Sequence, residues 1–136
     1  MTTSSPLYES LERAAEQGGD LYPQVYARFF AACPSAEPLM WHMDPLMRAR
    51  MMDEVINLLL LEDTEGEITL VEFEAHSHQG SGVSAEMFKV LFEAIRDTLR
   101  VCLGADWTGG YEAAWQARIE QLACAFNGQY PEPKVA

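Results

Sequence analysis

The chain has 136 residues, and its 21 Asp and Glu outnumber its 9 Lys and Arg, giving a net charge of -12. A chain of this length suits one domain whose core is large enough to need no disulfide staples. The excess negative charge repels phosphate backbones and anionic lipid headgroups, so we expect neither nucleic acid nor a membrane surface as a partner.

Cysteine usage and the N-terminal sequence predict a cytoplasmic protein. Cys33, Cys102 and Cys124 are an odd number without a CxxC pair, so we expect reduced, structural thiols. Residues 1–5 lack the basic segment and apolar run of a signal peptide, and the longest apolar run, residues 58–61, is too short to span a bilayer.

Two helices and a corner are predicted in the first 40 residues. Ser5 and Pro6 give a cap and a first-turn proline, and helical spacing of apolar residues continues until Gly18. Asp20 is a candidate cap for a second helix. Its predicted apolar stripe is Leu21, Val25, Phe29 and Ala32, and an irregular, proline-bracketed corner at residues 34–38 follows.

A third long helix is predicted from the Asp44-Pro45 start. One side of it carries apolar residues at helical spacing, which are Leu46, Met47, Met51, Val55, Leu58 and Leu59. Residues 62–67 interrupt the pattern. The β-branched and aromatic residues of 67–73 favour a strand, but a lone strand has no pairing partner among helices, so we predict helix there.

The second half of the chain predicts two further helices and completes a single domain, residues 1–136. One helix runs from the Ser84 cap to Gly104, and the last begins near Thr108 and ends at residues 127–128. The core is expected to span about residues 6–127, and residues 131–136 are expected to be frayed.

The three histidines leave two interpretations open. In a strand, His76 and His78 would share a face with Glu74, and His42 would complete a metal site. In a helix the two rings point about 200° apart, and only one of them faces inward. H-x-H alone is a weak metal motif, so the second interpretation is favoured.

The residues after His78 carry a family resemblance. His78 is followed by three residues and then by Gly82-Val83, and Phe88 lies ten residues beyond the histidine. The sequence LGADWT, residues 103–108, precedes Ala-Trp at 114–115. Three motifs in this order make the chain resemble bacterial single-domain globins and the haem domains of flavohaemoglobins, over roughly residues 6–126.

The resemblance implies an all-α globin fold that encloses one haem b, with His78 as the proximal iron ligand. Glu74, one helical turn earlier, would orient the histidine ring, and Phe88 lacks the hydroxyl that flavohaemoglobins carry at that position. The other cofactor-binding residues implied are Tyr26, Phe29, Met40, Trp41, Met47, Met51, Val83 and Ile95.

The distal side departs from the family pattern. Met40 or Trp41 stands where most globins have a haem-clamping Phe, and Met47 stands where a distal His or Gln is usual. A thioether donates no hydrogen bond, so a bound gas would rely on Tyr26, or on Arg48 if the register shifts by one residue. His42 is a candidate contact for a haem propionate.

The function that the resemblance implies is binding of a diatomic gas: oxygen, nitric oxide or carbon monoxide. Turnover such as nitric oxide dioxygenation would need an external reductase, because the chain has no room for a flavin domain. Two alternatives stay open. The first is a haem-free globin-like module that binds a protein or an apolar ligand, and the second is an electron carrier with His/Met-ligated haem. The sequence predicts no oligomeric state.

Overall fold

The computed structural model describes residues 5–130 and contains no strand in that range. Its α-helices are α1 (Pro6–Gly18), α2 (Tyr22–Ala32), α3 (Pro45–Leu60), α4 (Thr64–Gln79), α5 (Ala85–Leu103) and α6 (Gly109–Gln129), and short 3₁₀ turns occupy Pro34–Ala36, Pro38–Met40 and Gly104–Asp106. The all-α prediction is confirmed for these residues. The tail at 131–136, predicted to fray, lies outside the described range.

Side-chain caps explain where most of these helices begin. The side chains of Ser5, Asp44, Ser84 and Thr108 each accept a hydrogen bond from a backbone N–H in the first turn. α2 differs from the prediction, because its N-cap residue is Leu21 and the Asp20 carboxylate instead accepts from the Tyr22 N–H at 3.0 Å. α5 stops at Gly104, whose φ of 51° favours glycine.

The ambiguous segment at 67–73 is helical, as predicted. It lies inside α4, and the predicted interruption shrinks to residues 61–63, because the Asp63 carboxylate caps α4 through the Gly66 N–H at 3.1 Å. Propensity for strand is overridden by this cap and by packing of α4 on α6.

The core lies where α5 packs against α1, α2 and α6. Trp115 is fully buried, and Phe29, Leu91 and Ile95 are also buried, whereas Phe30 is half-buried. Phe92 and Phe126 contribute two further fully buried rings. The burial of large aromatic and aliphatic side chains around α5 is the main stabilising contribution that the described residues show.

Two predicted apolar stripes need correction. Ala32 is exposed, because α2 reaches its last turn beyond the core. On α3, Leu46 and Met47 are exposed, at 65% and 44%, while Met52 is fully buried. The first turn of α3 therefore lies outside the core, whereas the predicted face is turned inward from Met51 onward, with Met51 and Val55 half-buried and Leu58 and Leu59 buried.

Loss of one buried hydrogen bond should measurably destabilise the fold. The indole Nε1–H of Trp115 donates to Ser10 Oγ at 2.8 Å, and both residues are fully buried. Ser10→Ala leaves this N–H without its acceptor, so we expect a loss of about 1–3 kcal/mol in the free energy of unfolding, measured by urea denaturation. Ser35→Ala, at an exposed serine, should change it by less than about 0.5 kcal/mol. Equal effects of the two variants would contradict this account.

A hydrogen bond between α2 and α3 predicts that the stability of the fold decreases at alkaline pH. The Tyr22 hydroxyl donates to the Asp53 carboxylate, and burial together with this contact raises the pKa of Tyr22 to about 12. The folded chain thus holds this proton more tightly than the unfolded chain, so stability should fall as pH rises from about 10 towards 12. Ultraviolet titration should show that Tyr22→Phe removes a phenol titrating near pH 12. Loss of one near pH 10 would refute the assignment.

Candidate functional site

A cavity of about 600 Å³ lies between α3, α4 and α5 and is continued by the corner at residues 36–43. Its size falls within the range of about 300–1,000 Å³ found for small-molecule and cofactor sites. The side chains on its wall are mostly apolar, and the buried ones include Phe29, Met40, Leu58, Phe88, Leu91, Phe92 and Phe126. The cavity is therefore suited to a largely apolar ligand.

The exposed residues of the lining mark the mouth of the cavity. They are His42, Glu54, Asn57, Phe73, Ser77 and Ser81. No Lys or Arg from the described part of the chain lines the cavity. Apart from Phe73 the mouth is thus polar, while the interior is apolar.

His78 lines this cavity from the last turn of α4, and its ring is held in one orientation. Its Nδ1 lies 2.7 Å from the backbone carbonyl oxygen of Glu74. A carbonyl only accepts hydrogen bonds, so Nδ1 carries the proton and the lone pair stays on Nε2. Among residues 5–130 no hydrogen bond to Nε2 is present, and Nε2 is the atom free to bind a metal.

The environment of His78 reinforces this orientation. The edge of its ring meets Phe88, with 5.5 Å between centroids and 84° between planes. The Glu74 carboxylate lies 3.5 Å from Nδ1, farther than the carbonyl of the same residue. Burial raises the pKa of the Glu74 carboxyl, as does the charge of Glu54, while His78 opposes the shift. The carbonyl is thus the principal partner, at the residue that the sequence predicted.

The structure brings six of the ten predicted site residues to the cavity. They are His78, Phe29, Met40, Met51, Val83 and Phe88. Trp41 and Met47 lie outside it and are exposed, at 72% and 44%. Trp41 lies before α3, and Met47 lies in the first turn of α3, one turn before Met51, which does line the cavity. Ile95 is buried in the core below the cavity lining rather than in it.

Tyr26, the predicted polar donor, is also outside the lining. Its hydroxyl donates to the Arg48 carbonyl oxygen at 2.7 Å, and burial raises the pKa of Tyr26, so the group stays protonated. The Arg48 guanidinium lies over the rings of Tyr26 and Phe30 and donates to the Met40 carbonyl oxygen at 3.2 Å. Both candidate donors therefore hold the corner and α3 together behind the cavity wall.

Sequence reasoning missed several lining residues. Met43 and Met87 join Met40 and Met51, so that four methionines line the cavity, and Leu39, Phe92 and Phe126 were also missed. Helical spacing gave a signal for Phe92, which lies one turn beyond Phe88 on α5. Nothing comparable marks Met43, which lies in an irregular segment.

The alternative metal site is not supported by the geometry. Residues 5–130 contain no group of three His, Cys, Asp or Glu side chains that could hold a metal ion. α4 is helical, so His76 lies on the exposed side while His78 lines the cavity. The three cysteines are free thiols, as expected, although Cys124 is exposed. No helix of the described residues is long and apolar enough to cross a membrane.

Comparison with known proteins identifies no relative of this chain, so its function is inferred from the geometry of the cavity. No family model matches the chain, and no curated protein matches it.

Proposed function

We propose that the chain is a globin that binds haem b and, through its iron, a diatomic gas, with His78 as the proximal ligand. One observation carries the proposal. The imidazole of His78 lines an apolar cavity with its Nδ1 proton committed to the Glu74 carbonyl oxygen at 2.7 Å, which leaves Nε2 as a metal ligand.

The residues present fit haem b. A porphyrin has an apolar body and two carboxylates, and the cavity pairs an apolar wall with a polar mouth. His42 and Ser81 offer hydrogen-bond donors at that mouth, where the carboxylates would also meet water. The pairwise packing of α2 on α5, α5 on α6 and α4 on α6 further supports a globin arrangement, which builds its pocket from such helix pairs.

The chain's own residues would set the properties of the site. When bound, ferrous haem supplies an iron atom that takes up a diatomic gas. His78 would hold the cofactor, and the Glu74 carbonyl would fix the ring and raise the basicity of Nε2. Phe29, Met40 and Met51 would exclude water, and none of these three side chains donates a strong hydrogen bond to a gas.

A second function is favoured by the methionines. Met40, Met43, Met51 and Met87 all line the cavity, so one of their thioethers would be a candidate iron ligand besides His78. His/Met ligation is used by electron-transfer haem proteins. The third candidate function is that of a haem-free module that binds an apolar ligand. It requires that the cavity take up no haem.

Haem titration of the purified chain tests the proposal. We expect a Soret band that saturates at one haem per chain, quenching of tryptophan fluorescence, and a ferrous form without a strong sixth ligand. A low-spin spectrum in both oxidation states would instead support the electron carrier. Absence of saturable uptake would sink both haem proposals and favour the haem-free module.

A further inference from the structure

Large exposed apolar side chains are concentrated in two segments of the chain. The large exposed hydrophobic residues of the described chain are Tyr8, Trp41, Leu46, Met47, Ile68, Phe73 and Val101. Five of these seven belong to residues 41–47 or to α4, and one of them, Phe73, also lines the cavity. Exposed apolar side chains scattered singly are ordinary, but their concentration in two segments that also supply lining residues indicates an interaction surface.

One face of α4 combines these apolar residues with negative charge. Four exposed residues of α4, which are Glu65, Ile68, Glu72 and Phe73, form what we call the α4 face. Glu65, Ile68 and Glu72 recur at the spacing of one helix side, and Phe73 lies about 100° further round the helix from Glu72, at the edge next to the cavity. Ile68 and Phe73 are 52% and 65% exposed. Within residues 5–130, Glu65 and Glu72 make no salt bridge, and α4 contains no Lys or Arg.

The charge of the α4 face decides which partner fits. A second copy of this chain would bring another net charge of -12 against it, and anionic lipid would be repelled in the same way. A protein with Lys or Arg around an apolar patch would pair with the two glutamates and cover both hydrophobic side chains. The exposed Arg50 on α3 is too isolated to reverse this balance.

We propose that the α4 face is the docking site for a basic partner protein, which binds beside the cavity mouth with Phe73 as its apolar anchor. Phe73 belongs both to the face and to the cavity lining, so a partner seated there covers the mouth. The inference depends on the surface alone and stands whether or not the cavity holds haem.

The test uses the full chain and cytochrome c as a small basic probe protein. Amide chemical shifts, recorded by nuclear magnetic resonance during titration, should change along residues 65–73 and near Trp41. The dissociation constant should rise by about tenfold when the salt concentration is raised from roughly 20 mM to roughly 200 mM.

Two variants distinguish specific docking of the probe protein on the α4 face from its general attraction to a negatively charged chain. Glu65→Lys combined with Glu72→Lys, and separately Phe73→Ser, should each weaken binding by about tenfold. The matched control, Glu12→Lys with Glu16→Lys, makes the same charge change at exposed sites on α1 and should weaken it by less than about threefold. Folding of each variant is checked by circular dichroism.

Three results would overturn the proposal. The first is that the chemical-shift changes spread over the whole acidic surface. The second is that the control variant, Glu12→Lys with Glu16→Lys, weakens binding of the probe as much as the variants of the α4 face do. The third is self-association of the chain alone in sedimentation velocity that Phe73→Ser abolishes, because it would assign the face to a second copy.

Discussion

His78→Ala should lower the affinity of the chain for haem by at least about 100-fold. The substitution removes the only imidazole that combines a half-buried place on the cavity wall with a fixed tautomer, since Nδ1 of His78 is hydrogen-bonded to the Glu74 carbonyl oxygen. Displacement of haem to an acceptor protein measures the change. Added imidazole should restore part of the Soret intensity, because a free ring can occupy the volume that the side chain leaves.

His76→Ala is the matched control for this prediction. His76 lies two residues earlier on the same helix but is exposed, so its removal should change haem affinity by less than about threefold. Equal losses in the two variants, or no loss in His78→Ala, would contradict the assignment of His78 as the ligand.

Arg118→Met should be the most destabilising single substitution of a charged residue in the described chain. Arg118 is 8% exposed and donates to the backbone carbonyl oxygens of Leu58, Leu59 and Leu61 at 2.8–3.1 Å. It also pairs with Glu67 at the start of α4. One guanidinium therefore caps the end of α3 and joins it to α4 and α6.

The expected cost is about 3–5 kcal/mol, because the substitution leaves Glu67 without its cation and leaves the carbonyls of Leu59 and Leu61 without the guanidinium donor, while the Leu58 carbonyl still accepts from the Leu61 N–H. The melting temperature should fall by roughly 10–20 °C, as measured by calorimetry. Arg13→Met removes an exposed i,i+4 pair with Glu9 and should cost less than about 1 kcal/mol. A loss below about 1 kcal/mol for Arg118→Met would show that water replaces the guanidinium at these carbonyls.

Local signals in the sequence predicted most helix boundaries. The caps Ser5, Asp44, Ser84 and Thr108 and the stop at Gly104 act within a few residues, so the sequence shows them directly. The helical state of residues 67–73 needed an argument from the whole fold, since these residues favour strand by propensity. The pairing of Arg118 with Glu67 crosses 51 residues and had no local signature.

The candidate site was predictable on its proximal side and much less so on its distal side. His78, Glu74 and Val83 lie close together in sequence, so a fixed spacing describes them. Met47 was misplaced because helical spacing shows which side of α3 a residue occupies but not where along the helix the cavity ends, and Met51, one turn later on the same side, does line the cavity. Residues 34–40 form an irregular corner without a helical repeat, so counting residues across it located the positions on α3 less accurately.

The measurement that tests the central claim most directly is the absorption spectrum of the haem-loaded, reduced chain before and after addition of carbon monoxide. If His78 holds the iron and the opposite side is open to a gas, the Soret band should shift on addition and should weaken in His78→Ala. A ferrous spectrum that carbon monoxide leaves unchanged, or one indifferent to the loss of His78, would contradict a gas-binding site built on this histidine.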